Sequence, residues 1–415
     1  KNATIYEVNI RQHTPEGTFA AFQQDLPRLK SMGITLLWLM PVHPIGEVNR
    51  KGTLGSYYSV KDYKGINPEY GTEQDFRNLV KAAHDLGMKV IIDWVANHSA
   101  FDNVWTIDKK SNYALDTAGN LQPPFNTDWW DVAQLDWNNK ALWADMKDAM
   151  RFWVKEYDID GFRCDVAMKV PNPFWEEVRA SLDSIKPVFM LAEAEDPEMH
   201  RHAFDMTYGW EMMHITNHVA KGDSNLSHFD SYMDRERKKF ISDAYRMYFT
   251  TNHDENSWNG TGGERYGEAR KAYDVLAFTM WGMPLLYTGQ EGGETKRLKF
   301  FDKDTVQWNN YPLQDFYTRL ISLRTRNKAL WSGSEGGDFT RLKTSNDEVI
   351  YAYMRRRNDS QVLVMLNFSD KPQKIDLIDE VNGNFKSIFN EQTLSVFTQG
   401  DVKLDPFGYQ VFELR

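Results

Sequence analysis

Eight short apolar segments recur along the chain, and between them lie longer stretches with helical spacing. The segments are Thr4–Ile10, Ile34–Met40, Lys89–Asp93, Asp160–Asp165, Val188–Glu193, Phe204–Met206, Tyr248–Thr251 and Leu285–Tyr287. The helical stretches include Phe22–Met32, closed by Gly33, Asp75–Leu86, closed by Gly87, Lys140–Tyr157 and Pro173–Ile185. Strands that alternate with helices are the mark of parallel βαβ units. Eight such units predict an α/β fold, a closed (β/α)₈ TIM barrel with insertions. A doubly wound open sheet is the alternative, but no Gly-x-Gly-x-x-Gly follows the first strand.

Two regions break the alternation. Residues 99–136 are polar, rich in Asn, Asp and Trp, and lack a long period. They read as a domain inserted after the third strand. From residue 336 the strand-like runs Val349–Met354, Val362–Leu366 and Tyr409–Phe412 follow one another without helices between them. They predict a C-terminal all-β sandwich over 336–415. The barrel is then expected over 1–98 and 137–335.

Composition narrows the function. Acids outnumber bases 59 to 49, and no basic tract stands out, which argues against a nucleic-acid binder. No apolar run is long enough to span a bilayer. One cysteine, Cys164, excludes an internal disulfide framework. Aromatic residues make up 14% of the chain, and their flat faces suit sugar stacking as well as a core.

In a barrel, the ends of the strands carry the chemistry. The third segment ends in Asp93-Trp94-Val95-Ala96-Asn97-His98 and the fourth in Arg163-Cys164-Asp165. The fifth ends in Glu193 and the seventh in Asn252-His253-Asp254. Any one of these groups has a structural explanation, and Asp93 reads best as a hydrogen-bond acceptor. Asp165, Glu193 and Asp254 on three strands together point to a site. Period 2 puts Arg163 and Asp165 on one face, opposite Phe162 and Cys164. The guanidinium is expected to keep Asp165 ionised. Glu193 follows an apolar run and shares a face with Glu195, so its pKa is expected to rise. An ionised and a protonated carboxyl are the pair a retaining glycosidase uses, about 5–5.5 Å apart.

These motifs resemble the α-amylase superfamily of retaining glycoside hydrolases, and the likeness covers nearly the whole chain. Asp93 to His98 is similar to Asp-x-x-x-Asn-His, Gly161-Phe162-Arg163-Cys164-Asp165 to Gly-Phe-Arg-x-Asp, and Phe249 to Asp254 to Phe-x-x-Asn-His-Asp. Tyr58 to Tyr63, followed by Asn67 to Thr72, resembles the family's loop after the second strand. The resemblance implies that Asp165 is the nucleophile, Glu193 the acid and then the base, and Asp254 the carboxylate that holds the distorted sugar. It implies that Arg163 orients Asp165, that His98 and His253 bind hydroxyls, and that Tyr58 stacks under the ring. The other reading of Tyr58 is a loop tyrosine packed on Tyr57 or Tyr63.

Three positions depart from the family pattern. Met168 and Lys169 stand where a Lys-His pair is common, leaving Lys169 as the positive contact on the leaving-group side. Glu195 replaces an aromatic. Gln134 stands where an Asp often helps Asn97 bind calcium, and a neutral amide is a poorer ligand for a hard cation. No cofactor is therefore expected. If calcium does bind near Asn97, Asp128 or Asp131 would have to serve. Trp105, Trp129, Trp130 and Trp258 are candidates for sugar stacking or for packing.

The expected activity is hydrolysis of α-1,4 bonds in starch-like α-glucans. Alternatives within the class are a cyclomaltodextrinase, a neopullulanase or an α-glucanotransferase. A non-catalytic glucan binder is the alternative outside it, although such proteins typically lose one of the three carboxylates. The first residues read as a strand and not as a signal peptide. A polymer substrate favours a periplasmic or secreted address, with the cytoplasm as the alternative. The motifs carry no information on endo or exo action or on oligomeric state.

Overall fold

A computed structural model describes residues 1–396 and 402–415. Eight parallel strands close into a barrel. They are β1 (Ile5–Val8), β2 (Leu36–Leu39), β3 (Lys89–Trp94), β6 (Gly161–Cys164), β7 (Phe189–Ala192), β8 (Met206–Tyr208), β9 (Tyr245–Tyr248) and β10 (Met283–Tyr287), with β10 returning to β1. The short antiparallel pair β4 (His98–Ala100) and β5 (Val132–Gln134) belongs to the insertion.

Local chemistry sets the helix limits. Thr72 and Asp75 form a reciprocal capping box at the start of Glu73–Asp85. Asn139 caps Lys140–Tyr157, which spans the expected residues. The stretch expected as one helix over Phe22–Met32 is instead two, Phe19–Gln23 and Leu26–Met32. Pro27 stands in the first turn of the second, and it has no N–H to continue the first. The seventh strand lies at Tyr245–Tyr248, earlier than Tyr248–Thr251. Thr250 and Thr251 leave the ladder and donate their hydroxyls to Asp274 and Glu294. The sixth strand is likewise displaced, to Met206–Tyr208.

The C-terminal region forms an antiparallel six-stranded sheet and a two-stranded one, Gln373–Ile375 with Val402–Leu404. Met354, Leu363, Met365 and Phe412 of the large sheet share one core with Ile375 and Val402 of the small one. That is a sandwich packed by alternate residues. No helix among the described residues is long and apolar enough to cross a membrane.

Candidate active site

Register brings the acids together. Asp93 pairs with Arg163 across β3 and β6, and Cys164 pairs with Ala192 across β6 and β7. Asp165 and Glu193 each follow the last residue of their strand, so they emerge side by side at the barrel's C-terminal mouth. Together with Asp254, Tyr58, His98 and His253 they line one pocket of about 640 Å³, within the usual range for a ligand site.

Arg163 lies under the floor and is fully buried. Its Nη1 donates to Asp93 Oδ1 at 2.8 Å and to Asp165 Oδ1 at 3.0 Å. Its Nη2 donates to Glu193 Oε2 at 2.8 Å, and its Nε to the Tyr208 hydroxyl at 3.0 Å. The shared face of Arg163 and Asp165 is therefore as period 2 requires. The electrostatics differ from the sequence expectation. One guanidinium serves three carboxylates, so it does not belong to Asp165 alone. Burial, with Glu193, Asp93 and Asp254 nearby, pushes the Asp165 carboxyl well up against the pull of Arg163. Glu193 does have a basic partner, supplied by the neighbouring strand. Glu195 turns away, pairing with Arg246 at 3.2 Å and accepting from the Glu211 amide.

Asp93 accepts from Trp38 Nε1 at 3.1 Å and from the Tyr58 hydroxyl at 2.9 Å, in addition to Arg163. It is the hinge of the floor, in keeping with an acceptor role. Val166 adopts a left-handed backbone with φ of 36°, an outlier for a β-branched residue. That bend aims its N–H at Glu193 Oε2, 2.8 Å away. Both bonds to Glu193 thus fall on Oε2.

The two histidines carry opposite charge states. Burial lowers His98 to about 3, helped by Lys169, so its ring is neutral. Asn97 Nδ2 sits 3.1 Å from its Nδ1, which leaves Nε2 as the donor. Burial also opposes protonation of His253, but Asp254 and Glu7 outweigh it and raise the ring to about 9. His253 Nε2 lies 2.8 Å from the Tyr58 hydroxyl and 3.4 Å from Asp254 Oδ2. Tyr58 packs its ring on His253 and Phe300, with centroids 5.4 and 6.3 Å away.

Lys169 stands back from the pocket, its ammonium 4.5 Å from the Trp129 ring centroid. Trp129 in turn packs on His98. Trp129, Trp130 and Trp258 all line the pocket, whereas Trp105 is buried against Tyr63. Sequence reasoning misses Glu7, Lys51, Phe300 and Phe301. Glu7 had a signal, as the one acid inside the first apolar strand. The others lie on loops without a period.

The position where the resemblance implies a calcium ligand carries an amide. Pairing of β4 with β5 sets Gln134 opposite His98, beside Asn97. Gln134 Nε2 donates to Asn97 O at 2.9 Å, Asn97 Oδ1 at 3.2 Å and Leu135 O at 2.9 Å. Three acceptors around one nitrogen fix the amide's orientation. The Asn97 oxygens that a hard cation would need are taken by a donor, so the residues present do not fit calcium there. Asp131 pairs with Lys51 at 3.2 Å, and Asp128 offers its backbone carbonyl to the same ammonium.

The alpha amylase catalytic-domain pattern matches residues 5–346, and the maltogenic amylase C-terminal domain matches 339–411. The chain belongs to the α-amylase family of glycoside hydrolases. It is 28% identical to an alpha-amylase of Haloarcula japonica over 93% of its own length, and spans 59% of that protein. It is 26% identical to a cyclomaltodextrinase of Thermoanaerobacter pseudethanolicus, covering 86% of this chain and 64% of that one. A crystal structure of a noncanonic maltogenic alpha-amylase from Thermotoga neapolitana superposes with a TM-score of 0.90 at 29% identity, covering 100% of this chain and 98% of the other.

Proposed function

We propose that the chain hydrolyses α-1,4-glucosidic bonds of starch-like α-glucans with retention. The observation that carries it is the pair Asp165 and Glu193 on adjacent nitrogens of one guanidinium, at the floor of a pocket edged with aromatic rings. Arg163 carries one positive charge against Asp93, Asp165 and Glu193, so the buried group favours holding one proton. The reaction requires a proton on Glu193 Oε1, the oxygen without a bond to Arg163 or Val166.

Asp165 Oδ2 attacks the anomeric carbon while Glu193 gives its proton to the leaving oxygen. Glu193, now ionised, takes a proton from water, which attacks the glycosyl–Asp165 ester and restores the site. Asp254 and the cationic His253 bind hydroxyls of the sugar being cleaved, and neutral His98 donates from Nε2. The NMR signature of the first-formed anomer tests retention. An initial β-anomer from an α-glucan would overturn the mechanism.

Ring opening of cyclomaltodextrins, or transfer to a sugar acceptor, is the second reading. The match to a maltogenic amylase C-terminal domain and the cyclomaltodextrinase relative favour it. Products sized over time on amylose and on a cyclomaltodextrin separate the two. A non-catalytic binder predicts no turnover on any α-glucan. We also propose that no calcium is needed, since the Gln134 amide occupies the cation's place.

A further inference from the structure

We propose that Lys51 closes the glycone end of the pocket, so that the enzyme works inward from non-reducing chain ends and releases short oligosaccharides. This rests on the hydrolase assignment above and adds to it the direction of attack.

The general acid marks the leaving-group side. Glu193 follows β7, so the glycone must extend across the mouth towards the loops after β2 and β10. At that side three segments distant in sequence are tied together. Lys51, in the loop after β2, pairs with Asp131 at 3.2 Å and donates to Asp128 O at 2.9 Å, both in the insertion. Its ammonium also lies 5.0 Å from the Trp130 ring and 5.8 Å from the Phe301 ring.

The same loop is stapled to the segment after β10. Thr53 donates its N–H and its hydroxyl to Asp302 Oδ1 at 2.9 and 2.6 Å, and the Leu54 amide donates to Phe301 O at 2.9 Å. Gly52 permits the contact, because a Cβ there would stand 2.5 Å from Phe301 Cβ and its φ is +64°. An endo-acting enzyme needs an open groove on both sides of the scissile bond. Here a bridge crosses the glycone side, and Lys51, which lines the pocket, ties it to the insertion through Asp131. An ammonium has three protons. Asp131 and Asp128 take two, and the third is available to a hydroxyl of the terminal glucose.

The test uses 4-nitrophenyl maltoheptaoside with its non-reducing end free or capped by a 4,6-ethylidene group, with products sized by chromatography. The wild type is expected to cleave the free form at least tenfold faster than the capped form. Lys51→Ala should shrink that ratio at least fivefold and lengthen the first products. Lys51→Met, which keeps the stem over Trp130 and removes the ammonium, should shift the ratio the same way by less, and stands in if the alanine variant does not fold. Equal wild-type rates on both forms, or a ratio unchanged in both folded variants, would overturn the role of Lys51 while leaving hydrolysis intact. Cleavage of neither form would overturn the hydrolase assignment itself.

Discussion

The floor and the rim of the pocket are built from different materials. The floor is strand-borne and charged. Glu7, Asp93 and Arg163 are each 0% exposed, with Arg163 paired to Asp93 and Glu7 paired to His253. The rim is loop-borne and aromatic, with Trp130 and Trp258 more than half exposed. Preorganised charge stabilises a transition state only where surrounding groups cannot relax, and a closed barrel supplies that rigidity. Sugar recognition along a chain needs flat faces at adjustable positions, which loops supply. Changes to the floor should therefore cost turnover and stability together, and changes to the rim should alter which bond is cleaved.

Asp165→Asn sharpens the contrast most. It should lower kcat by several orders of magnitude while glucan binding, followed by calorimetry, survives. A variant that still turned over at a tenth of the wild-type rate would remove Asp165 from the nucleophile's role. Arg163→Leu should come next, leaving three buried carboxylates without their counter-charge. Breaking such a group costs about 3–5 kcal/mol, read from urea unfolding. Trp258→Ala is the rim control and should stay within about 0.5 kcal/mol, with KM raised. Equal destabilisation by the two variants would dissolve the distinction between floor and rim.

The floor also predicts a pH effect. His253 is raised to about 9 in the folded chain, against about 6.5 for an unfolded histidine. The stability it contributes is fully present below pH 6.5 and is lost as the pH rises through 9. The full swing is of order 3 kcal/mol. Urea midpoints collected from about pH 6 to 10 should fall more steeply for the wild type than for His253→Gln. Parallel profiles would mean that Glu7 and Asp254 do not hold the proton on His253.

How much of this was legible in the sequence follows the same division. Strand alternation exposed the barrel, and strand ends exposed Asp165 and Glu193, because position along a strand fixes the face and the height of a side chain. His98, His253 and Asp254 lie past the ends of β3 and β9 and were legible through their motifs. The sharing of Arg163 was not legible, since Glu193 meets it from the next strand. Sequence neighbours gave Glu195 as its companion, and the fold sends Glu195 to Arg246. Lys51 and Phe301 carried no signal at all. They meet only because loops 250 residues apart close over the same mouth.

The insertion tests a neutral version of the floor's logic. Asn97 and Gln134 hold β3's exit against β5 by amide hydrogen bonds, where a charged ligand set would use a cation. Adding a chelator should leave the wild-type melting temperature unchanged. Gln134→Asp removes the amide donor, leaves the acceptors of Asn97 and Leu135 facing a carboxylate, and should cost about 1–3 kcal/mol. Calcium should restore part of that loss, because the same position then offers the hard oxygen that the cation prefers. The wild type should show no such response to calcium. A chelator-sensitive wild type would show that the amide clamp is not what holds the insertion to the barrel.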